Sequence, residues 1–219
     1  MTNVTIFGGH GKVALLLAPL LTDRGDVVSS VVRNPDHEED VAASGATAVV
    51  ADVETLSVTE IAELLRGQEA VVWSAGAGGG SPERTWAVDR DAAIRTIDAA
   101  AQAGVRRFIM VSYLGAGQDH GVPEDDSFYP YAQAKADADT HLRDSGLDWT
   151  IVAPGNLTMD DATGTIDIIS APTGGKHPTS RANVALVIVA ALDEPASVGR
   201  TIGFRDGGTP VAEAVGAQR

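Results

Sequence analysis

Cysteine is absent from the 219-residue chain, which excludes disulfides, thiolate nucleophiles and cysteine-held zinc or iron–sulfur centres. Histidine is sparse. His10, His37, His120, His141 and His177 include no pair at i, i+4 spacing, so no metal site is expected. Basic residues are outnumbered: 16 Lys and Arg stand against 30 Asp and Glu, leaving a formal net charge of −14. Such a surface suits neither nucleic acid nor an anionic membrane. Long apolar runs are missing too, since the run 184–192 is about half of what a bilayer crossing needs. A strand-like run already begins near residue 3, so no secretory leader is expected. These absences leave a cytoplasmic protein with a small-molecule substrate, as a monomer or homodimer. No internal repeat or linker divides the chain, and 44% hydrophobic content is enough for one core. A single domain over 1–219 is expected.

What is present is an alternation of strand-like and helical runs from end to end, the pattern of a parallel sheet covered on both faces. Strands are expected near 3–7, 27–32, 47–50, 70–74, 107–112, 149–153 and 200–204. Helices fit 11–23, 38–44, 58–66, 86–103, 130–145 and 181–193. Gly67, Gly104 and Gly146 each follow a helical run, where a left-handed residue ends a helix. Pro19 should kink the first helix or shorten its last turn. The loops 76–82 and 114–130 both follow strands, which puts them at the carboxyl edge of the sheet, where open α/β sheets bind ligands.

Gly8-Gly9-His10-Gly11-Lys12-Val13-Ala14 lies at the first strand-to-helix junction. Glycines there let the backbone approach phosphate oxygens, and the helix start aims its N–H groups at the anion. The spacing Gly8-x-x-Gly11-x-x-Ala14 is loose alone and gains weight from its position; a plain tight turn is the blander reading. The second strand, Val31-Val32, ends in Arg33 and is turned away by Asn34-Pro35. A carboxylate there would select a free ribose 2′-OH, whereas a guanidinium can pair with a 2′-phosphate. NADP is therefore expected over NAD, the alternative being a solvated Arg33. Lys12 either adds charge near the phosphates or points to water. Asp52, before Val53, either accepts from the adenine amino group or caps the next segment.

Several segments in order resemble the atypical short-chain dehydrogenase/reductase superfamily, in particular its small NAD(P)H-binding, NmrA-like and biliverdin-reductase-B-like branch. They are Gly8-Gly9-His10-Gly11, Val31-Val32-Arg33-Asn34, Ala51-Asp52-Val53, Val72-Trp73-Ser74-Ala75-Gly76, Arg107 to Ser112, Trp149 to Gly155, and Ser180 to Ala185. The resemblance spans nearly the whole chain. It implies a Rossmann-like doubly wound parallel sheet of about seven strands with a small C-terminal substrate lobe. The cofactor-binding set expected on this basis is Gly8, Gly9, His10, Gly11, Lys12, Val13, Arg33, Asp52, Val53, Ser74, Ala75, Gly76, Lys135 and Pro154. The chain departs from the pattern at Ala14, which replaces the last glycine, and in the turn after the fourth strand.

Tyr131-Ala132-Gln133-Ala134-Lys135 puts a phenol and an ammonium four residues apart on one helix face. A phenol with a pKa near 10 is a poor acid–base group at neutral pH, and a neighbouring Lys⁺ would lower that value. Tyr131 could then protonate a carbonyl oxygen as hydride arrives. The resemblance adds that Lys135 contacts the nicotinamide ribose and that Ser112 binds the substrate oxygen. Tyr113 is expected to pack under the loop. The segment 155–180 should form only a small lid, too short for a sugar-epimerase lobe. Within it Asp160, Asp161 and His177 read as solvated, and Ser180 as a helix cap. The expected activity is an NADPH-dependent reduction of a small carbonyl, quinone or flavin-like acceptor. The alternative, from the NmrA-like likeness, is a non-catalytic NAD(P) redox sensor.

Overall fold

The computed structural model describes residues 1–78, 81–170 and 175–217. β1 (Asn3–Phe7), β2 (Val27–Val32), β3 (Thr47–Val50), β4 (Ala70–Trp73), β5 (Arg107–Val111) and β6 (Asp148–Pro154) fall where the apolar runs place them. Alternate residues of a strand face opposite sides of a sheet. Val72 accordingly joins the core formed with α1 (Lys12–Asp23) and α7 (Arg181–Asp193), while Val71 and Trp73 join the core on the opposite face. That second core is covered by α3 (Val58–Leu64), α5 (Ala93–Ala103) and α6 (Tyr129–Asp144). Burial on both faces is why the inner strands β1, β4, β5 and β6 read as continuous apolar runs.

Among the described residues the main sheet has nine strands, in the order β11-β8-β10-β6-β5-β4-β1-β2-β3. From β3 to β10 (Arg200–Asp206) every pairing is parallel. β8 (Thr165–Ile168) and β11 (Thr209–Pro210) extend it antiparallel. The expected count of about seven omitted β8, which lies in the segment assigned to the lid, and β11, whose two residues are too short to carry an apolar period. β7 (Asn156–Thr158) and β9 (Pro178–Ser180) form a separate two-stranded ribbon. Chain order reverses between β1 and β4, and a ligand crevice opens at such a switch point.

Local chemistry accounts for most boundaries. Ser57 and Glu60 form a reciprocal capping box at α3. Ser180 accepts from the Asn183 N–H at 3.0 Å and caps α7. Gly104 ends α5 at φ 77°, and Gly67 and Gly146 take φ 74° and 72°. α1 covers Lys12–Asp23, close to the expected 11–23, with Pro19 inside it and Leu17, Ala18 and Leu21 buried around it. The helix expected to start at 86 instead starts at Pro82, behind a Ser81 cap, as α4 (Pro82–Thr85). It then widens into a π-helical stretch over Trp86–Ala92 before α5. A short α8 (Val211–Gly216), not anticipated, packs Val211, Ala214 and Val215 against the α7 side.

Candidate functional site

The glycine turn after β1 is held by geometry that only glycine supplies. Gly8 sits at φ 79°, and a Cβ there would lie 2.6 Å from the Ala75 Cα. The Gly11 N–H donates to the Gly8 carbonyl at 2.8 Å and closes the turn. Gly11 then starts α1 with no side-chain cap and no acidic residue in the first turn. An uncapped twelve-residue helix above a bare backbone cradle fits a diphosphate.

On one side of this turn a cavity of about 300 Å³ is bounded by the turn itself, the end of β2 and the segments after β3 and β4. Gly8, Gly9, Arg33, Asp52 and Val53 all reach its wall. Arg33 Nη1 is already engaged, donating to Glu54 Oε1 at 2.6 Å, and Arg84 Nη2 reaches the same oxygen at 3.3 Å. Asp52 Oδ1 accepts from the Glu54 N–H at 3.0 Å, so its carboxylate does turn the next segment. His10 swings to the rim, bonded to Asp40 at 2.8 Å and stacked 3.6 Å from the His37 ring.

On the other side a cavity of about 610 Å³ shares Gly11, Ser74, Ala75 and Gly76 with the first. Lys12 and Val13 line it, together with Ser112, Tyr131 and Lys135. The fold thus brings the glycine turn and the Tyr/Lys helix face to one cleft. Pro154 is not part of it. That residue lies on an adjoining cavity of about 500 Å³, reached past Ser112, Phe128, Tyr131 and Leu157 and edged by His177. There Tyr113, Phe128 and Tyr131 form an aromatic cluster with centroids 5.4–5.6 Å apart. Tyr113 therefore packs with the cleft aromatics. Asp160 and Asp161 are exposed, as expected. Gly174, part of the expected lid, lies outside the described residues.

The electrostatics differ from the sequence reading. Lys135 is 1% exposed, and its Nζ donates to the Val111 carbonyl at 2.7 Å. The Tyr131 phenol is not lowered. Burial raises its pKa above the ordinary tyrosine value, reinforced by the negative fields of Asp89, Tyr113 and Asp139. The expectation that Lys135 depresses it fails first because the phenol is buried, and then because two buried carboxylates, Asp89 and Asp139, add negative field beside it. Asp89, on the π-helical stretch, accepts from the Ala77 N–H at 3.0 Å. Burial raises its pKa, with Lys135, the Ala77 N–H and Arg84 opposing. Asp139 accepts from Ser112 Oγ at 2.6 Å.

Asp139 was legible in principle. Tyr131, Lys135 and Asp139 follow an i, i+4, i+8 spacing that keeps one helix face. Asp89 was not, because a wider helical turn rotates residues away from the 3.6 period. Among the described residues no group of three or more His, Cys, Asp or Glu could hold a metal ion. No helix among them is long and apolar enough to cross a membrane.

Residues 8–195 match a family model described as NAD(P)H-binding. An uncharacterized sugar epimerase from Bacillus subtilis is 37% identical over 97% of this chain and 98% of its own length. A solved structure of a putative NAD-dependent epimerase/dehydratase from Bacillus halodurans superposes with a TM-score of 0.90. It is 32% identical, covering 98% of this chain and 99% of that one. The oxidoreductase ylbE from Lactococcus lactis gives a TM-score of 0.84 at 30% identity, covering 97% and 94%.

Proposed function

The chain belongs to the NAD(P)H-binding family, and from that premise we propose that it is an NADPH-dependent reductase of a small carbonyl-type acceptor, of the atypical short-chain dehydrogenase/reductase type. One observation carries the reading: Tyr131, Lys135 and Ser112 line a cavity continuous with the uncapped glycine turn. A non-catalytic sensor needs the turn but has no use for a phenol, an ammonium and a hydroxyl at its other end.

When bound, the reduced nicotinamide supplies a hydride. Gly8, Gly9, Gly11 and the start of α1 would hold the diphosphate, Ser74, Ala75 and Gly76 would line the middle of the cofactor, and Arg33 would meet a 2′-phosphate. Tyr131, kept protonated by its raised pKa, is the acid. As the acceptor carbon gains its C–H bond, the C=O π pair moves to oxygen, and that oxygen takes the phenol proton. Solvent then reprotonates the phenolate. Ser112 donates to the same oxygen, and Lys135 steadies the charge that passes through the phenol. Residues 155–180 act as the acceptor-side lobe of a single domain, through Leu157 and His177 on the cleft wall.

The test begins with a fluorescence titration of the protein by NADPH and NADH, read by energy transfer from Trp73, Trp86 and Trp149. NADPH should bind at least about tenfold more tightly, a margin of roughly 1.4 kcal/mol, and Arg33→Ala should erase that margin. Tyr131→Phe should then cost about 100-fold or more in carbonyl reduction. Cofactor binding with no turnover of any carbonyl, quinone or flavin would sink the reductase reading in favour of a sensor. Release of an epimerised sugar product would replace it with an isomerase.

A further inference from the structure

The reductase reading asks Ser112 to donate its one hydroxyl proton to the acceptor oxygen. In the structure that proton goes elsewhere. Ser112 Oγ donates to Asp139 Oδ2 at 2.6 Å, with Ser112 5% and Asp139 0% exposed. A hydroxyl so engaged turns only lone pairs toward the cleft, and lone pairs repel a carbonyl oxygen. Asp139 lies behind Ser112, on the wall of a further cavity of about 320 Å³ that Thr201 and Gly203 also line. Its other oxygen, Oδ1, is buried with no hydrogen-bond partner among the described residues.

We propose that Asp139 is a positioning residue that sets which way Ser112 donates. As the carboxylic acid it donates to Ser112 Oγ and turns the hydroxyl proton into the cleft. As the carboxylate it draws that proton back and withdraws the donor. The acceptor in this statement rests on the reductase reading; the hydrogen-bond reversal does not.

The surroundings place the acid form within reach. Burial raises the Asp139 pKa above the ordinary aspartate value, and this outweighs the Lys135 field, the Ser112 donation and the Arg143 field. Lys135 and Arg143 flank Asp139 one turn to each side on α6. From the end of β5 it is faced by Ser112 and Tyr113, and Tyr131 stands two turns before it. Asp89, from the π-helical stretch, competes for the Lys135 field. A lone buried carboxylate oxygen without a donor is costly as an anion and much cheaper once its group is neutral.

Two readouts test this. The first needs no turnover: infrared spectra of the resting protein across pH, compared with Asp139→Asn and Ser112→Ala. The expected result is a protonated-carboxyl stretch that persists above the ordinary aspartate range, is missing in Asp139→Asn, and shifts in Ser112→Ala as the acid loses its acceptor. The second is the pH profile of kcat/KM. Wild type should lose about 100-fold as pH rises through the same titration, the usual cost of one missing donor to a developing oxyanion. Asp139→Asn and Asp139→Leu should both lack that limb, with folding checked by melting temperature and NADPH binding. In the Ser112→Ala background, Asp139→Asn should change nothing further. A carboxylate that titrates in the ordinary range, or an alkaline limb kept by both Asp139 variants, would overturn the proposal. A titrating band that shifts in Ser112→Ala, with no acceptor ever reduced, would uphold the hydrogen-bond reversal and bring down the reductase reading alone.

Discussion

Single side chains in this protein are placed by trade-offs between burial and partners. Asp89 and Asp139 both have raised pKa values from desolvation. A carboxyl whose folded pKa exceeds its unfolded one stabilises the fold below the unfolded value, and that contribution is lost as pH rises through the folded value. Asp139→Asn should therefore raise the melting temperature at pH about 8 more than at pH about 4, near the unfolded aspartate value. A gain of about 1 kcal/mol would appear as roughly 2–4 °C at this chain length. Equal gains at both pH values would rule out a charge penalty. Glu54 makes the opposite kind of trade. Its carboxylate neutralises Arg33 and Arg84 beside the cavity expected to take the adenosine end. Glu54→Gln should free two guanidiniums for a 2′-phosphate and raise the NADPH-over-NADH preference by about tenfold, roughly 1.4 kcal/mol. The paired titrations of tryptophan energy transfer measure it directly. Arg107 is a half-buried charge, its pKa pulled down to about 10 by desolvation. It donates to the Asp148 and Ala191 carbonyls and to the Thr150 and Ser197 hydroxyls. Arg107→Met leaves those acceptors bare and should cost about 3 kcal/mol in urea unfolding.

Elements respond to their immediate neighbours. The turn between β1 and α1 depends on Gly8, whose positive φ and contact with the Ala75 backbone leave no room for a Cβ. Gly8→Ala should destabilise the protein by about 2–3 kcal/mol. It should also abolish cofactor binding, because relief of the overlap moves the cradle away from Ser74–Gly76. Retained binding in a calorimetric titration would mean that the turn is structural only. The legibility of elements followed the same logic. β1, β4, β5 and β6 could be read because both-face burial writes apolar runs into the sequence, and Ser180 and Gly104 because caps and left-handed stops carry their own chemistry. The π-helical stretch over Trp86–Ala92 leaves no such mark, since Trp86-Ala87-Val88 suits an ordinary helix as well.

For the molecule as a whole, the last strands complete the sheet. β10 pairs with β6 and buries Ile202 and Phe204, and β8 pairs onto its far side. Removing residues 200–219 would expose the β6 edge and the α7 face together. No cooperative thermal transition is expected for that truncation by circular dichroism, and a sharp melt near the full-length value would show the C-terminal strands to be accessory. The sequence by itself determined the parallel layered architecture, the glycine turn and the nature of the cofactor family, because periodicity, glycine stereochemistry and ordered motifs are local properties. Only the tertiary structure decided the electrostatics of the cleft. Asp89 and Glu54 lie far along the chain from the groups they influence, and Asp139, although it shares α6 with Tyr131, bonds to Ser112 from a distant strand end. Whether a phenol is raised or lowered depends on which charges are buried beside it, and burial is set by the whole fold.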